Sequence, residues 1–336
     1  MSSITENVAS RFGDDRTEVF VTLLENMVWP ILILTFLAFG LFIPIDLFYS
    51  IDNIQFIIYS SAGLGILVLA ESLCLLSGNF DLSVGAVAGF TAMFSGLFIH
   101  QWFPGMPGIV GVLVALALGV LIGFLNGLSV GIIGVNPFLQ TLTFFIIFGE
   151  GTVILSQLSI SNLPESYLYL GRGNFFGFEV SVLLLLALFA LTGFMLKFTP
   201  LGLALYSVGG NEQAAEEAGY DTTKIVVLVY VVSGFLSALA GLVYAGYIGT
   251  VTPTLANGQL FPAFAAAVVG GISLFGGRGQ ILGALAGVLL LSTIQSGLVL
   301  MNVPASYVAT INGVILLAAV LLYTAEARLR QRLLSA

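Results

Sequence analysis

The chain has 336 residues, of which 58% are hydrophobic and only 8% are charged, and its mean hydropathy is +1.09. Because soluble domains carry about 25% charged residues, this composition excludes an ordinary water-soluble protein and predicts an all-α polytopic membrane protein. The formal net charge of −8 argues against a nucleic-acid partner, which would require basic patches.

Residues 1–27 are polar and lack the pattern of a signal peptide, so we interpret them as a cytoplasmic tail or a helix lying on the membrane. Residues 28–325 form one transmembrane domain, and the basic residues 326–336 form a cytoplasmic C-terminal tail. Apolar runs of about 20 residues predict about ten membrane spans at 28–45, 54–76, 82–99, 109–132, 137–157, 180–198, 225–247, 260–275, 280–301 and 305–323. The eighth span is short, which indicates a segment that is tilted little, broken or re-entrant.

The nine Lys and Arg residues divide unequally between the two sides of these spans. If the N-terminus is inside, Arg172 lies outside and the other eight lie inside: Arg11, Arg16, Lys197, Lys224, Arg278, Arg328, Arg330 and Arg332. Cytoplasmic loops of membrane proteins carry an excess of Lys and Arg. The distribution therefore predicts that both termini and the polar segment 199–224 are cytoplasmic.

Segment 199–224 holds one predicted short helix. Asn211 suits its N-cap, Glu212 places negative charge in its first turn, and Gly219 suits the left-handed residue after its end. Around the helix, alanines form one small face and glutamates occupy the rest: Ala214, Ala215 and Ala218, with Glu212, Glu216 and Glu217. So short a helix is unstable alone. It rests on its own membrane domain or on another protein, or the segment is a solvated connector.

Two glycine-rich segments, 77–89 and 270–287, occupy matching places in the two halves of the chain. The first has Gly85 and Gly89 at a spacing of four, and the second repeats this spacing at Gly279, Gly283 and Gly287. Such spacing lets helices pack closely in lipid, and paired glycine-interrupted segments indicate a transporter's pathway. We therefore predict two pseudo-symmetric halves with broken or re-entrant glycine-rich segments. Plain helix packing is the alternative.

Several polar side chains lie at or near the depth of the spans, where they either line a solute path or hold helices together. The candidates for a path are Glu71, Asn79, Asp81, Ser83, Asn126, Gln140, Thr143 and Gln295. Asp81 also suits a cap at the start of the third span, and we favour a structural hydrogen bond for Glu150. An ion-coupled secondary transporter would use Glu71, Asp81 and Glu150 as its relay.

Other chemistries find no support in the residue types. There is one His and one Cys, Cys74, so we predict no metal site and no catalytic residues. The chain has no G-x-x-x-x-G-K-[ST] and cannot cradle ATP phosphates itself. Arg172, in the largest outer loop with Glu165 and Glu179, is a candidate for docking an extracellular protein or is a solvated loop charge.

Three motifs occur in family order and resemble the permeases of ribose-type ABC importers: GNFDLSVGA, GGNEQAAEEAGYDTTK with the span that follows it, and GGISLFGGRGQILGALAG. The resemblance implies a non-enzymatic subunit of a prokaryotic cell membrane that moves a small polar solute, for which we expect a monosaccharide. Nucleosides and branched-chain amino acids are the alternatives.

The resemblance also implies the partners. They are a second permease (an identical copy or a related chain), an extracellular solute-binding protein, and ATPase subunits that bind ATP and Mg and receive residues 211–219 in a groove. It implies no cofactor in this chain.

Overall fold

The computed structural model describes residues 27–304 and, beyond them, residues 307–308, 310–318 and 320–321. Apart from Met27, the two predicted tails, 1–27 and 326–336, lie outside these described residues, as does part of the predicted tenth span. The described residues between 307 and 321 are helical.

The described helices follow the predicted spans closely. The first half contains α1 (Val28–Phe42), α2 (Ile45–Phe48), α3 (Ile51–Leu76), α4 (Val84–Leu97), α5 (Gly108–Gly127) and α6 (Pro137–Leu155). The remainder contains α7 (Glu165–Arg172), α8 (Val180–Phe198), α9 (Pro200–Gly210), α10 (Glu212–Glu217), α11 (Thr222–Ile248), α12 (Leu260–Val269) and α13 (Ile281–Leu300). A π-helical turn extends α4 over Phe98–Trp102 and another extends α5 over Leu128–Ile132.

Seven of these described helices are long and apolar enough to cross a membrane: α3, α4 and α5 with their extensions, α6, α8, α11 and α13. Two shorter apolar helices, α1 and α12, coincide with the first and eighth predicted spans. The protein is therefore an all-α polytopic membrane protein, as the composition predicts.

The core is built around α3 and α11, the most deeply buried of the long helices together with α4. Glycines allow α11 to cross α5 in backbone contact. A Cβ added at Gly119 would lie 2.4 Å from the carbonyl oxygen of Gly234, and one added at Gly123 would lie 2.2 Å from that of Tyr230. At this crossing small residues let the two helix backbones touch directly, as is common between membrane helices.

The predicted eighth span, 260–275, is helical only over α12, because the helix ends at Val269 and turns follow it. After α11 the chain runs through turns at Thr252–Gly258 before α12 begins at Leu260. A Cβ at Gly89 would lie 2.5 Å from the carbonyl oxygen of Leu255, so these turns lie against the first half of α4. Within these turns Leu255 and Ala256 are buried in the protein, whereas Thr254, Asn257 and Gly258 are exposed.

Two connecting segments are more structured than the sequence predicts. The outer loop 158–179 contains α7 and a hairpin of two-residue strands, β1 (Asn174–Phe175) and β2 (Phe178–Glu179). The buried Tyr167 of α7 anchors this loop, since its hydroxyl donates to the carbonyl oxygen of Ala92 at 2.9 Å. Segment 199–224 contains two helices rather than one, because Pro200 at the first position and the Thr199 side chain as cap start α9.

Candidate solute path and coupling segment

A chain of hydrogen bonds connects the loop between α3 and α4, the first glycine loop (residues 77–83), to three helices. The Ser83 backbone amide and hydroxyl donate to Oδ1 of Asp81 at 3.0 and 2.5 Å. The hydroxyl of Ser233 in α11 donates to Oδ2 at 2.6 Å. From Ser83 the chain continues to Asn126 of α5 at 3.2 Å and on to Gln140 of α6 at 3.3 Å.

This chain unites four of the predicted path residues, namely Asp81, Ser83, Asn126 and Gln140. All except Gln140 are buried. Asp81 caps the turn at Ser83 rather than the first turn of α4 itself, for which the structure gives no side-chain cap. The arrangement satisfies a buried carboxylate with hydroxyl and amide donors, so it is suited to holding helices in place or to exchanging hydrogen bonds with a hydroxylated solute.

The first glycine loop is also fixed from within. Asn79 donates from Nδ2 to the backbone oxygen and the hydroxyl oxygen of Ser77, both at 3.1 Å. The Tyr230 hydroxyl of α11 donates to the carbonyl oxygen of Phe80 at 2.7 Å. Asn79 therefore shapes the loop, and its amide does not join the chain of hydrogen bonds that leads to α6.

Glu71 is fully buried in α3 beside this loop. The backbone and carboxyl group of Asp81 lie near its side chain, yet neither of the Glu71 carboxyl oxygens completes a hydrogen bond of normal geometry to any described residue. A carboxyl group in this position is costly in a membrane protein and indicates a functional role.

Three other predicted residues stay apart from this chain. Thr143 and Glu150 are exposed on α6, and Gln295 is exposed on α13. The Thr143 hydroxyl donates to the carbonyl oxygen of Leu139 in its own helix at 2.8 Å.

Helix α6 is the least buried of the seven long apolar helices, since only 11% of the residues in its apolar stretch lie inside the protein. Its buried residues are Thr141 and Thr152. Thr143 and Glu150, seven residues apart, fall on the opposite face at 100° per residue. Polar side chains on a helix face that points away from the protein require water or another protein against them, because lipid cannot donate hydrogen bonds to a carboxylate.

Segment 199–224 contains a well-defined exposed helix, α10. Asn211 caps it by accepting from the backbone amide of Ala214 at 3.0 Å, and Gly219 follows with a φ of +90°. Ala215 is buried against the protein's own domain, whereas Ala214 and Ala218 are exposed together with the acidic residues Glu212, Glu216 and Glu217. The helix therefore rests on its membrane domain through Ala215 and presents an acidic outer face.

Two ion pairs lie away from the polar chain, one in segment 199–224 and one in the loop 158–179. Lys224 lies 2.7 Å from Asp221, and its side-chain and backbone hydrogen bonds hold the pKa of Asp221 below the ordinary value. Arg172 pairs with Glu165 through two nitrogens. Since that charge is already matched, Arg172 offers less to an external partner than an unpaired cation would.

Sequence reasoning missed Ser233 and Tyr230 of α11, which hold the first glycine loop. A signal was present, because Ser233 and Ser237 lie four residues apart on one face of an otherwise apolar helix. Within the described residues no group of three or more His, Cys, Asp or Glu side chains is arranged to hold a metal ion.

A multi-helix membrane domain with a chain of buried polar residues and a short, capped, exposed helix is the arrangement of a transport permease. The family of permease components of branched-chain amino acid transport systems matches residues 53–320, and the chain belongs to this family.

Curated relatives of similar length support the same class. The chain is 31% identical to the ribose import permease protein of Haemophilus influenzae, covering 82% of this chain and 85% of the relative. It is 31% identical to the fructose import permease protein of Rhizobium meliloti (86% and 82% covered). It is 33% identical to the autoinducer 2 import system permease protein of Photorhabdus laumondii (83% and 84% covered).

These matches confirm the resemblance to the permease subunits of sugar ABC importers. In those relatives the permease subunit is not itself an enzyme. No solved structure was found to match the chain.

Proposed function

We propose that this chain is the membrane-spanning subunit of an ABC importer that brings a monosaccharide into a prokaryotic cell, with ATP and Mg bound by a separate ATPase. The observation that carries the proposal is α10. It is a short helix, capped at both ends, that exposes five of its six residues and is attached to the domain through the remaining one, Ala215.

Helix α10 suits insertion into a groove of the ATPase. Its exposed glutamates favour a groove with basic residues, since complementary charge steers association. Orientation follows from the Lys and Arg distribution, which assigns α10 and both termini to the cytoplasm.

The proposed solute path lies along α6, at a surface shared with a second permease. Gln140 and Thr143 offer amide and hydroxyl groups that match sugar hydroxyls. Covering this face with a second copy or a related chain would also remove Glu150 from lipid. An extracellular solute-binding protein would deliver the sugar to the outer surface formed by α7 and the hairpin, with Arg172 as one possible contact.

The experiment is reconstitution of the chain with its ATPase and binding protein in liposomes. Uptake of a labelled pentose or hexose should require ATP on the side of the liposome membrane where the ATPase is bound. It should persist when ion gradients are collapsed. Ala214→Arg should abolish copurification of the ATPase, whereas Ala214→Ser, at the same position, should not. Equal copurification in both variants would contradict the role of α10.

A second candidate function is favoured by Glu71, whose buried carboxyl has no hydrogen-bond partner among the described residues. In an ion-coupled secondary transporter, Glu71, Asp81 and Glu150 would carry the ion. Uptake without any ATPase that stops when the proton or sodium gradient is removed would establish this alternative. Within the ABC class, nucleosides and branched-chain amino acids should be included in the panel of solutes, because the family takes its name from the latter.

A further inference from the structure

Three segments meet in a backbone contact that we term the glycine junction: Gly78 of the first glycine loop, Gly209 of α9, and Gly276 of the loop between α12 and α13, the second glycine loop (residues 270–280). A Cβ added at Gly209 would lie 1.9 Å from the carbonyl oxygen of Leu76. A Cβ added at Gly276 would lie 2.3 Å from the carbonyl oxygen of Gly209 and 2.8 Å from Cα of Gly78. A side chain at Gly209 or Gly276 would therefore require one of the segments to move, whereas a Cβ at Gly78 would lie at an ordinary contact distance of 3.5 Å from Cα of Gly209.

Hydrogen bonds hold the same segments together. The backbone amide of Gly277 donates to the carbonyl oxygen of Leu76 at 3.0 Å, which joins the second glycine loop to the end of α3, one residue before the first glycine loop. The hydroxyl of Tyr206 in α9 donates to the carbonyl oxygen of Gly279 at 2.8 Å. Helix α9 is therefore attached to both pseudo-symmetric halves at once.

The junction lies between the coupling helix and the polar chain. Gly209 precedes Asn211, the cap of α10, by two residues. On the other side, Gly78 precedes Asp81 by three residues, and from Asp81 the hydrogen bonds run through Ser83 and Asn126 to Gln140 of α6. A continuous physical connection thus leads from the exposed helix to the helix with the polar outward face.

We propose that Gly209 is a positioning residue that transmits movement of α10 to both glycine loops, and through the first of them to α6. This inference rests on the proposed function. A contact made of backbone atoms alone contains no rotamer that could absorb a displacement, and packed interiors respond to small shifts by discrete rearrangement.

The test compares Gly209→Ala with Gly210→Ala in the reconstituted complex. The two residues are adjacent at the end of the same helix, but a Cβ at Gly210 would come no closer than 4.0 Å to any neighbour. We expect Gly209→Ala to lower the amount of solute imported per ATP hydrolysed by at least about tenfold and Gly210→Ala to leave it unchanged. The same ratio in both variants would overturn the inference.

Tyr206→Phe decides the question if Gly209→Ala fails to assemble, because it removes one hydroxyl without adding an atom. It should lower import per ATP while the complex keeps its melting temperature, and Tyr220→Phe, beside α10, should not. If Tyr206→Phe matches Tyr220→Phe, the inference fails. If the unmodified complex shows no ATP-driven uptake at all, it is the proposed function that fails.

Discussion

The two glycine loops occupy equivalent places in the two halves but are held by different means. The first is fixed by side chains, chiefly Asp81, Ser83 and Asn79, with Ser233 and Tyr230 reaching it from α11. The second is held mainly through backbone atoms, because the amide of Ser273 donates to the carbonyl oxygen of Arg278 at 2.9 Å and the amide of Gly277 donates to the carbonyl oxygen of Leu76 at 3.0 Å. Two side chains add to this, since the Ser273 hydroxyl accepts from the amide of Phe275 at 3.2 Å and the Tyr206 hydroxyl donates to the carbonyl oxygen of Gly279 at 2.8 Å.

The backbone conformations of the two glycine loops also differ. The second loop has four glycines with positive φ, at Gly271, Gly276, Gly277 and Gly279, whereas the first has one, at Gly78. The comparison indicates that two loops predicted to correspond in sequence are held by different chemistry. The first loop can exchange hydrogen bonds with its surroundings, and the second serves as a compact element against which α9 packs.

The largest expected effect is that of Asp81→Ala, which would break the first loop. It leaves the amide and hydroxyl of Ser83 and the hydroxyl of Ser233 without their acceptor, and each buried donor left unsatisfied costs about 1–3 kcal/mol. We expect loss of uptake and a lower free energy of unfolding, measured by denaturation in detergent. Asp81→Asn, which keeps one acceptor oxygen, should lose less. An Asp81→Ala variant with normal stability would show that side chains do not hold this loop.

Gly276→Ala should produce the next largest effect and tests the second loop. The residue has a φ of +80°, and the added methyl group would meet backbone atoms of Gly209 and Gly78. Strain and overpacking together should cost about 2–4 kcal/mol, measured by thermal unfolding. Gly105→Ala is the control, since Gly105 has a similar φ of +95° and no atom within 4 Å of the added position. Equal losses in the two variants would mean that conformation alone, and not contact, matters at Gly276.

Ser233→Ala should have a moderate effect, because it removes one of the hydrogen bonds to Asp81. A hydrogen bond to a charged group contributes about 1.5–3 kcal/mol. Ser237→Ala, one turn further along the same face of α11, removes a buried hydroxyl that has no partner among the described residues and should be neutral or stabilising. If the two substitutions cost the same in a melting experiment, α11 does not anchor the first loop through Ser233.

The smallest effect is expected for Lys224→Met, outside both loops. Its ion pair with Asp221 is exposed, and such pairs contribute little. The pKa of Asp221 is lowered in the folded protein, so the contribution is present above the unfolded-state pKa and is lost as the pH falls through the folded-state pKa. Melting temperatures of the variant and the unmodified protein should therefore nearly coincide at neutral pH and converge fully in acid. A large difference at neutral pH would contradict this.

Apolar run length and glycine spacing predict most of the fold. The spans at 180–198 and 137–157 coincide with Val180–Phe198 and Pro137–Leu155, because a long apolar run has few other solutions in a membrane. The cap at Asn211 and the stop at Gly219 are confirmed, since both depend on local backbone chemistry. Helix α9 was not predicted, although Thr199 and Pro200 are a recognisable helix start.

The candidate site was harder to predict because its contacts are distant in sequence. Asp81 meets Ser233 across 152 positions, and no local pattern specifies that pair. The inward direction of Ala215 likewise depends on how α10 rests on the domain, so the sequence could identify a small alanine face without indicating which alanine it buries.

The short helix α12 also bears on how the chain enters the bilayer. Ten residues span about 15 Å, half of the hydrocarbon thickness, and the turns before it lie against Gly85 and Gly89 of α4. Such a segment cannot partition from the translocon as an independent helix, because its non-helical amides need a protein surface to cover them. We therefore expect it to settle only after α4 is in place, which makes the second half of the molecule the last to complete its biogenesis.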